Sequence, residues 1–172
     1  MKEFILGGAR SGKSAFAQRR AADSGLGVTY LATAQAGDAE MAERIARHRA
    51  ERPDHWALVE EPLALAAALR AHAAPNRCLL VDCLTLWLGN LLAAGDDALT
   101  AETQALLTVL PTLPGHILLV SSEVGHGIVP TNPLARRFRD EAGHLHQAVA
   151  HRCDRVSFVI AGLPLILKDC FT

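Results

Sequence analysis

The chain has 172 residues, 50% of them hydrophobic and 20% charged, with 13 Gly and 8 Pro; this excludes low-complexity disorder and collagen-like repeats and suits one domain with a sizeable core. Lys and Arg total 17 against 18 Asp and Glu, a formal net charge of −1, so nucleic acid is not expected as a main partner, since phosphate-backbone binding draws on a basic excess. No apolar run approaches the roughly 18 residues of a bilayer span, and Met1-Lys2-Glu3-Phe4-Ile5-Leu6 is too short an apolar stretch for a signal peptide, so a soluble, cytoplasmic protein is expected.

Apolar runs of strand length alternate with longer stretches of helical period. A strand over 2–6 leads through a Gly-rich turn to a helix over 13–24. A second strand, 27–33 (GVTYLAT), precedes a helix over about 39–52. A short strand over 56–60 and an Ala/Leu helix over 62–73, with Pro near its start, come next. Residues 77–82 (RCLLVD) read as a buried strand, followed by helices over 84–94 and 100–110 separated by Gly95-Asp96-Asp97. Strands over 116–121 and 155–161 flank a long helix over about 133–153. The order implies a single α/β domain spanning 1–172, with a mostly parallel central sheet and helices on both faces.

The first turn carries the chemistry. Gly7-Gly8-Ala9-Arg10-Ser11-Gly12-Lys13-Ser14 fits G-x-x-x-x-G-K-[ST], directly after a strand and before a helix, as in a P-loop NTPase-type domain. The glycines let backbone N–H groups converge on phosphate oxygens, and the helix N-terminus favours the anion. Lys13 is expected to reach the β- and γ-phosphates, and the Ser14 hydroxyl to bind Mg²⁺. Asp82, ending the apolar strand Leu79-Leu80-Val81, either helps hold the Mg²⁺ shell or caps the helix that follows. A GTP-binding switch is disfavoured, because Asp82-Cys83-Leu84-Thr85 lacks the Gly of DxxG and no NKxD occurs.

Met41, Ile45, His48 and Arg52 recur at i, i+4, i+7 and i+11, placing His48 on the inward stripe of its helix. A core histidine with a satisfied hydrogen bond is one reading. The neighbouring Arg44, Arg47, Arg49 and Arg52 favour another, an imidazole beside a triphosphate acting as acid, base or nucleophile. Cys78, Cys83 and Cys153 read as buried thiols, and with Cys170 they form neither a CxxC pair nor a zinc-site spacing. On the long helix, His144 and His151 share a face and His146 points away, a polar face rather than a metal site. His55 either helps hold a nucleotide or turns the chain after Pro53, and His72 and His116 carry no visible signal. Glu123 is a metal or substrate-hydroxyl partner, or an ordinary loop carboxylate.

The blocks GGARSGKS, YLAT, EMAERIARHRAERPDHW, LLVDCLTLWLGNLL and VSSEVGHGIVPTNPLARRFRDEAGHLHQ resemble, in order and over nearly the whole chain, those of the bifunctional adenosylcobinamide kinase / adenosylcobinamide-phosphate guanylyltransferase family. The resemblance implies phosphorylation of adenosylcobinamide by ATP or GTP, then transfer of GMP from GTP to that phosphate, giving adenosylcobinamide-GDP. It implies a covalent GMP–histidine intermediate at His48. It also implies nucleotide contacts at Gly7, Gly8, Ala9, Arg10, Ser11, Gly12, Lys13, Ser14, Ala32, Thr33, Ala34, Arg49, Ala50, Glu51, Arg52, Glu60 and Asp82, and a homotrimer. Ser122 and His146 stand where the family often has Asn. His126, between two glycines, is either a corrinoid contact or a plain loop residue. The alternative reading is a small-molecule P-loop kinase without guanylyltransferase activity, in which His48 is structural.

Overall fold

Alternation along the strands decides which side chains meet which layer. In the computed structural model, which describes residues 1–35, 37, 39, 42, 43, 46, 49 and 52–170, Phe4 and Leu6 face one side of the sheet and Ile5 the other. Leu79 and Val81 likewise oppose Cys78 and Leu80, and Ile117 and Leu119 oppose Leu118 and Val120. Strands buried on both faces read as continuous apolar runs, which is why period-2 alternation is invisible in LLV or HILLV.

The strands are β1 (Lys2–Gly7), β2 (Gly27–Ala32), β3 (Ala57–Glu60), β4 (Arg77–Asp82), β5 (His116–Ser122), β6 (Arg155–Ile160) and β7 (Leu163–Asp169). They form one seven-stranded sheet in the order β3-β2-β4-β5-β1-β6-β7. Every pairing is parallel except the last, where β7 returns antiparallel to β6. Helix α1 (Lys13–Ala22) covers one face through Ala17 and Ala21. On the other face pack α2 (Leu65–His72), α3 (Leu84–Ala94), α4 (Asp96–Val109) and α5 (Pro133–Arg152). Residues 39, 42, 43, 46 and 49 are helical. The expected α/β sandwich is present. Among the described residues, no helix is long and apolar enough to cross a membrane.

Two helix starts and one whole strand depart from expectation, each for a local reason. Helix α2 begins at Leu65, because the Glu61 carboxylate accepts from the Leu63 and Ala64 N–H groups at 2.9 and 2.8 Å and holds Pro62 in a turn outside the helix. Helix α4 starts at Asp96 rather than residue 100. Gly95, at φ 111°, makes the break by itself, and Asp96 and Asp97 suit the positive end of the helix dipole. Strand β7 was not expected. It follows a two-residue turn in which Ala161 and Gly162 both have positive φ, the backbone of a tight hairpin. Helix α5 starts where its sequence signals lie: Asn132 accepts from the Ala135 N–H at 3.1 Å and Pro133 occupies the first turn.

Candidate active site

Parallel register lines up the ends of the central strands along one edge. Gly7 pairs with Ser122, Ala32 with both Glu60 and Asp82, and Asp82 with Val120. Ligands of open α/β sheets bind at this carboxyl edge.

The phosphate loop turns out of β1 there. Gly12 takes φ 90° and Arg10 φ 54°, so the backbone curls over residues 8–12 before α1 begins. Gly7 is required for close approach: a Cβ there would stand 2.5 Å from Ser11 Oγ and 2.7 Å from the Val159 carbonyl oxygen. The hairpin tip braces the loop from outside, Gly162 N–H donating to the Ser11 carbonyl at 2.8 Å. Lys13 is buried and its Nζ donates to the Gly8 carbonyl at 3.1 Å, which holds the ammonium over the loop. Ser14 is half-buried in the first turn of α1, while Ala9 and Arg10 are exposed. The buried Ser11 Oγ has no hydrogen-bond partner among the described residues.

Asp82 does not cap the helix after it, for α3 has no side-chain cap. Its Oδ2 instead accepts from the Tyr30 hydroxyl at 3.0 Å. Burial and the Asp82 carboxylate push the Tyr30 phenol far above its ordinary value, so the hydroxyl stays a donor. The Arg52 guanidinium stacks over the Tyr30 ring at 4.1 Å, a cation–π contact. Arg49 and Arg52 line a cavity of about 190 Å³ together with Tyr30, Asp54 and Trp56. Thr33 is buried and its Oγ1 bridges Cys83, accepting from N–H at 3.0 Å and donating to the carbonyl at 2.7 Å. Its side chain therefore fastens the end of β2 to the turn after β4. Ala34 is half-buried, and Glu60 and His55 are exposed. His48, Ala50 and Glu51 lie outside the described residues, as do Met41, Arg44, Ile45 and Arg47.

Two histidines have buried partners that the sequence does not show. His116, with no visible signal, is buried with Nε2 3.6 Å from the carboxylate of Glu3. His146 is turned away from His144 and His151, as the helical spacing has it. It is buried under the sheet edge with its ring 5.7 Å from that of Phe4, whereas His144 and His151 are exposed. Its Nε2 is 2.8 Å from Ser121 Oγ, which is 3.1 Å from Thr85 Oγ1, which accepts from the Ser122 N–H at 2.6 Å. His146 Nδ1 is buried without a hydrogen-bond partner among the described residues, and Glu123 Oε2 stands 3.5 Å away. Glu123 is fastened to the phosphate loop, donating its N–H to the Gly7 carbonyl at 3.0 Å. Tyr30, Thr85, Ser121 and His146 are the site residues that sequence reasoning missed. Tyr30 carried a signal, standing two places before Ala32 on the same strand.

A sequence model of the cobinamide kinase / cobinamide phosphate guanyltransferase family matches residues 3–167. The chain belongs to that family. Over 169 residues it is 63% identical to the bifunctional adenosylcobalamin biosynthesis protein CobP of Pseudomonas aeruginosa, covering 98% of both chains. It is 39% identical to the bifunctional adenosylcobalamin biosynthesis protein CobU of Escherichia coli, covering 98% of this chain and 100% of that one. Family membership makes it a transferase of cobalamin biosynthesis. Solved structures agree on fold alone. The RadB recombinase superposes with TM-score 0.52 at 19% identity, over 91% of this chain and 73% of that one. A type III secretion ATPase superposes with TM-score 0.56 at 13% identity, over 96% of this chain and 56% of that one. The P-loop expectation from residues 7–14 thus stands at the level of the fold.

Proposed function

We propose that this chain carries out both reactions of its family at the sheet edge. It phosphorylates the aminopropanol hydroxyl of adenosylcobinamide with ATP or GTP, then transfers GMP from GTP to that phosphate and releases pyrophosphate. The observation that carries the reading is the phosphate loop, with Lys13 folded over it and Asp82 held at the neighbouring strand end, in a chain whose family performs these transfers.

Phosphorylation needs an alcohol in line with a γ-phosphoryl whose charge is neutralised. Lys13 and the loop N–H groups supply the fixed part of that neutralisation. Mg²⁺ would supply the rest, polarising the phosphoryl oxygens. The donors suit it, because Ser14 and Asp82 offer hard oxygens and Tyr30 occupies one oxygen of a carboxylate that has two. Among the described residues, no cluster of three or more His, Cys, Asp or Glu forms a metal cage.

Guanylyl transfer places a nucleophile at the α-phosphorus. Neutral His48 forms the N–P bond as the bond to pyrophosphate breaks; an oxygen of the corrinoid phosphate then displaces the imidazole. Arg49 and Arg52, gathered beside Tyr30 and Trp56, bind the nucleotide, with Gly7 to Ser14, Ala32 to Ala34, Ala50, Glu51, Glu60 and Asp82 as the remaining contacts. The enzyme works in the cytoplasm as a single domain and assembles with copies of itself, three by family resemblance. The exposed apolar residues Ile160, Leu163, Leu165 and Leu167 of the β6–β7 hairpin support assembly.

Incubation with GTP labelled at the α-phosphate tests the reading. Label should stay on the wild-type protein, released by acid and stable in alkali, and pyrophosphate should appear without corrinoid. His48→Asn should lose label and transfer while keeping kinase activity at least in part. Label retained in His48→Asn would move the nucleophile, with His55 next in line. Absence of label in the wild type would leave a plain kinase.

A further inference from the structure

The cleft described so far contains groups for the nucleotide and none for the acceptor alcohol. Glu123 is the carboxylate placed to serve it. Its backbone N–H is tied to the first glycine of the phosphate loop, so its position relative to the phosphates is fixed. One carboxylate oxygen accepts from the Gly125 N–H at 2.5 Å, and the other faces the buried Nδ1 of His146 at 3.5 Å. Among the described residues, no Lys or Arg forms an ion pair with it.

The loop that begins at Glu123 also turns an apolar surface outward. Ile128 is 97% exposed, and Val129 and Leu134 are exposed beside it. A groove of about 550 Å³ lies alongside, lined by Val124, Pro130, Leu134 and Phe138. A bulky acceptor with apolar faces has a place to rest on this side of Glu123, while the nucleotide phosphates lie on the Lys13 side.

We propose that Glu123 takes the proton of the acceptor hydroxyl during phosphoryl transfer, and that His146, from beneath, is the residue that positions it. The inference rests on the kinase reading above. As the hydroxyl oxygen forms its bond to the γ-phosphorus, the bond from that phosphorus to the departing nucleoside diphosphate breaks, and the proton passes to Glu123 and then to water.

One arrangement of hydrogens satisfies the buried chain. Ser122 N–H donates to Thr85, Thr85 to Ser121, Ser121 to His146 Nε2, and Nδ1–H is then directed at Glu123. Burial pushes the His146 imidazole below its ordinary value, against the pull of Glu123, so the ring is neutral near pH 7. A neutral donor orients the carboxylate without neutralising it. His146 is thus a positioning residue and Glu123 the catalytic one.

The two halves of the reaction provide the test. Glu123→Gln should lower kinase turnover by about 10²–10⁴-fold with the nucleotide KM unchanged. The same variant should still guanylylate preformed adenosylcobinamide phosphate, whose oxygen carries no proton to remove, and this also shows that it is folded. For His146, Asn presents an amide where Nδ1 stands and Gln presents one where Nε2 stands. His146→Asn should keep kinase turnover near wild type, while His146→Gln should lose up to about 10²-fold through a misplaced base. Kinase activity intact in Glu123→Gln, or both half-reactions lowered alike, would overturn the role of Glu123. Equal behaviour of the two His146 variants would overturn the positioning role. A wild-type protein that guanylylates the phosphate but never phosphorylates the alcohol would refute the kinase reading, and this inference with it.

Discussion

Gly7→Ala should damage stability and nucleotide binding together. A Cβ at residue 7 would stand 2.5 Å from Ser11 Oγ and 2.7 Å from the Val159 carbonyl oxygen. The serine can rotate away. The carbonyl cannot, because Val159 is the parallel partner of Gly7 in β6. The β1–β6 spacing must therefore open at the point where the phosphate loop departs. Overpacking of this kind costs about 1–3 kcal/mol, which lowers the melting temperature of a chain this size by roughly 2–12 °C. Calorimetric melting and titration with GTP read the two effects. Gly8→Ala is the control for stability, since a Cβ there meets nothing within 4 Å. It should melt within about 0.5 kcal/mol of wild type, as a substitution in open space does. Equal melting of Gly7→Ala and wild type would refute the packing argument.

Under the proposal that a single loop cradles phosphates in both half-reactions, Lys13→Ala should reduce both; full guanylyl transfer with kinase activity lost would contradict a shared nucleotide site. Burial alone would raise the Glu3 carboxyl, but His116 and Arg20 outweigh it and hold the group below its ordinary 4.5. The stability it contributes is complete above that value and lost as pH falls through the lower folded value. The melting difference between wild type and Glu3→Gln should therefore shrink on acidification, and a difference that grows would reverse the sign. Of the four thiols, exposed Cys170 should react with a disulfide reagent in the native protein. Cys78, Cys83 and Cys153 should wait for denaturant, because burial raises all three, Cys78 to about 11 and Cys153 to about 12. More than one fast native thiol would contradict that burial.

What could be read from the chain was contiguous. The phosphate loop is one unbroken run of residues, and the parallel strands are apolar runs bounded by turns, so both declared themselves. Asp82 was visible at a strand end, but its partner Tyr30 is 52 positions away, so the choice between a cap and a held carboxylate needed the fold. His116 carried no signal, and the partners of His146 were hidden, for the same reason. Their partners, Glu3, Ser121 and Glu123, lie on other elements, and a helical wheel reports which way a side chain points, not what waits there. Strand β7 was missed because Pro164 argues against a strand, and an Ala-Gly turn is a weak hairpin signal beside Asn-Gly. It stands at the sheet edge, where a missing N–H is tolerated.

Under the proposed function, one phosphate loop serves two successive transfers to one acceptor. Mass spectrometry of the corrinoid, after incubation of the wild-type protein with adenosylcobinamide, GTP and Mg²⁺, tests it directly. The corrinoid should gain a phosphoryl group first and a guanylyl group second, with GDP formed in the first step and pyrophosphate in the second. A corrinoid that stops at the phosphate, with GTP and Mg²⁺ in excess and no pyrophosphate formed, would contradict it.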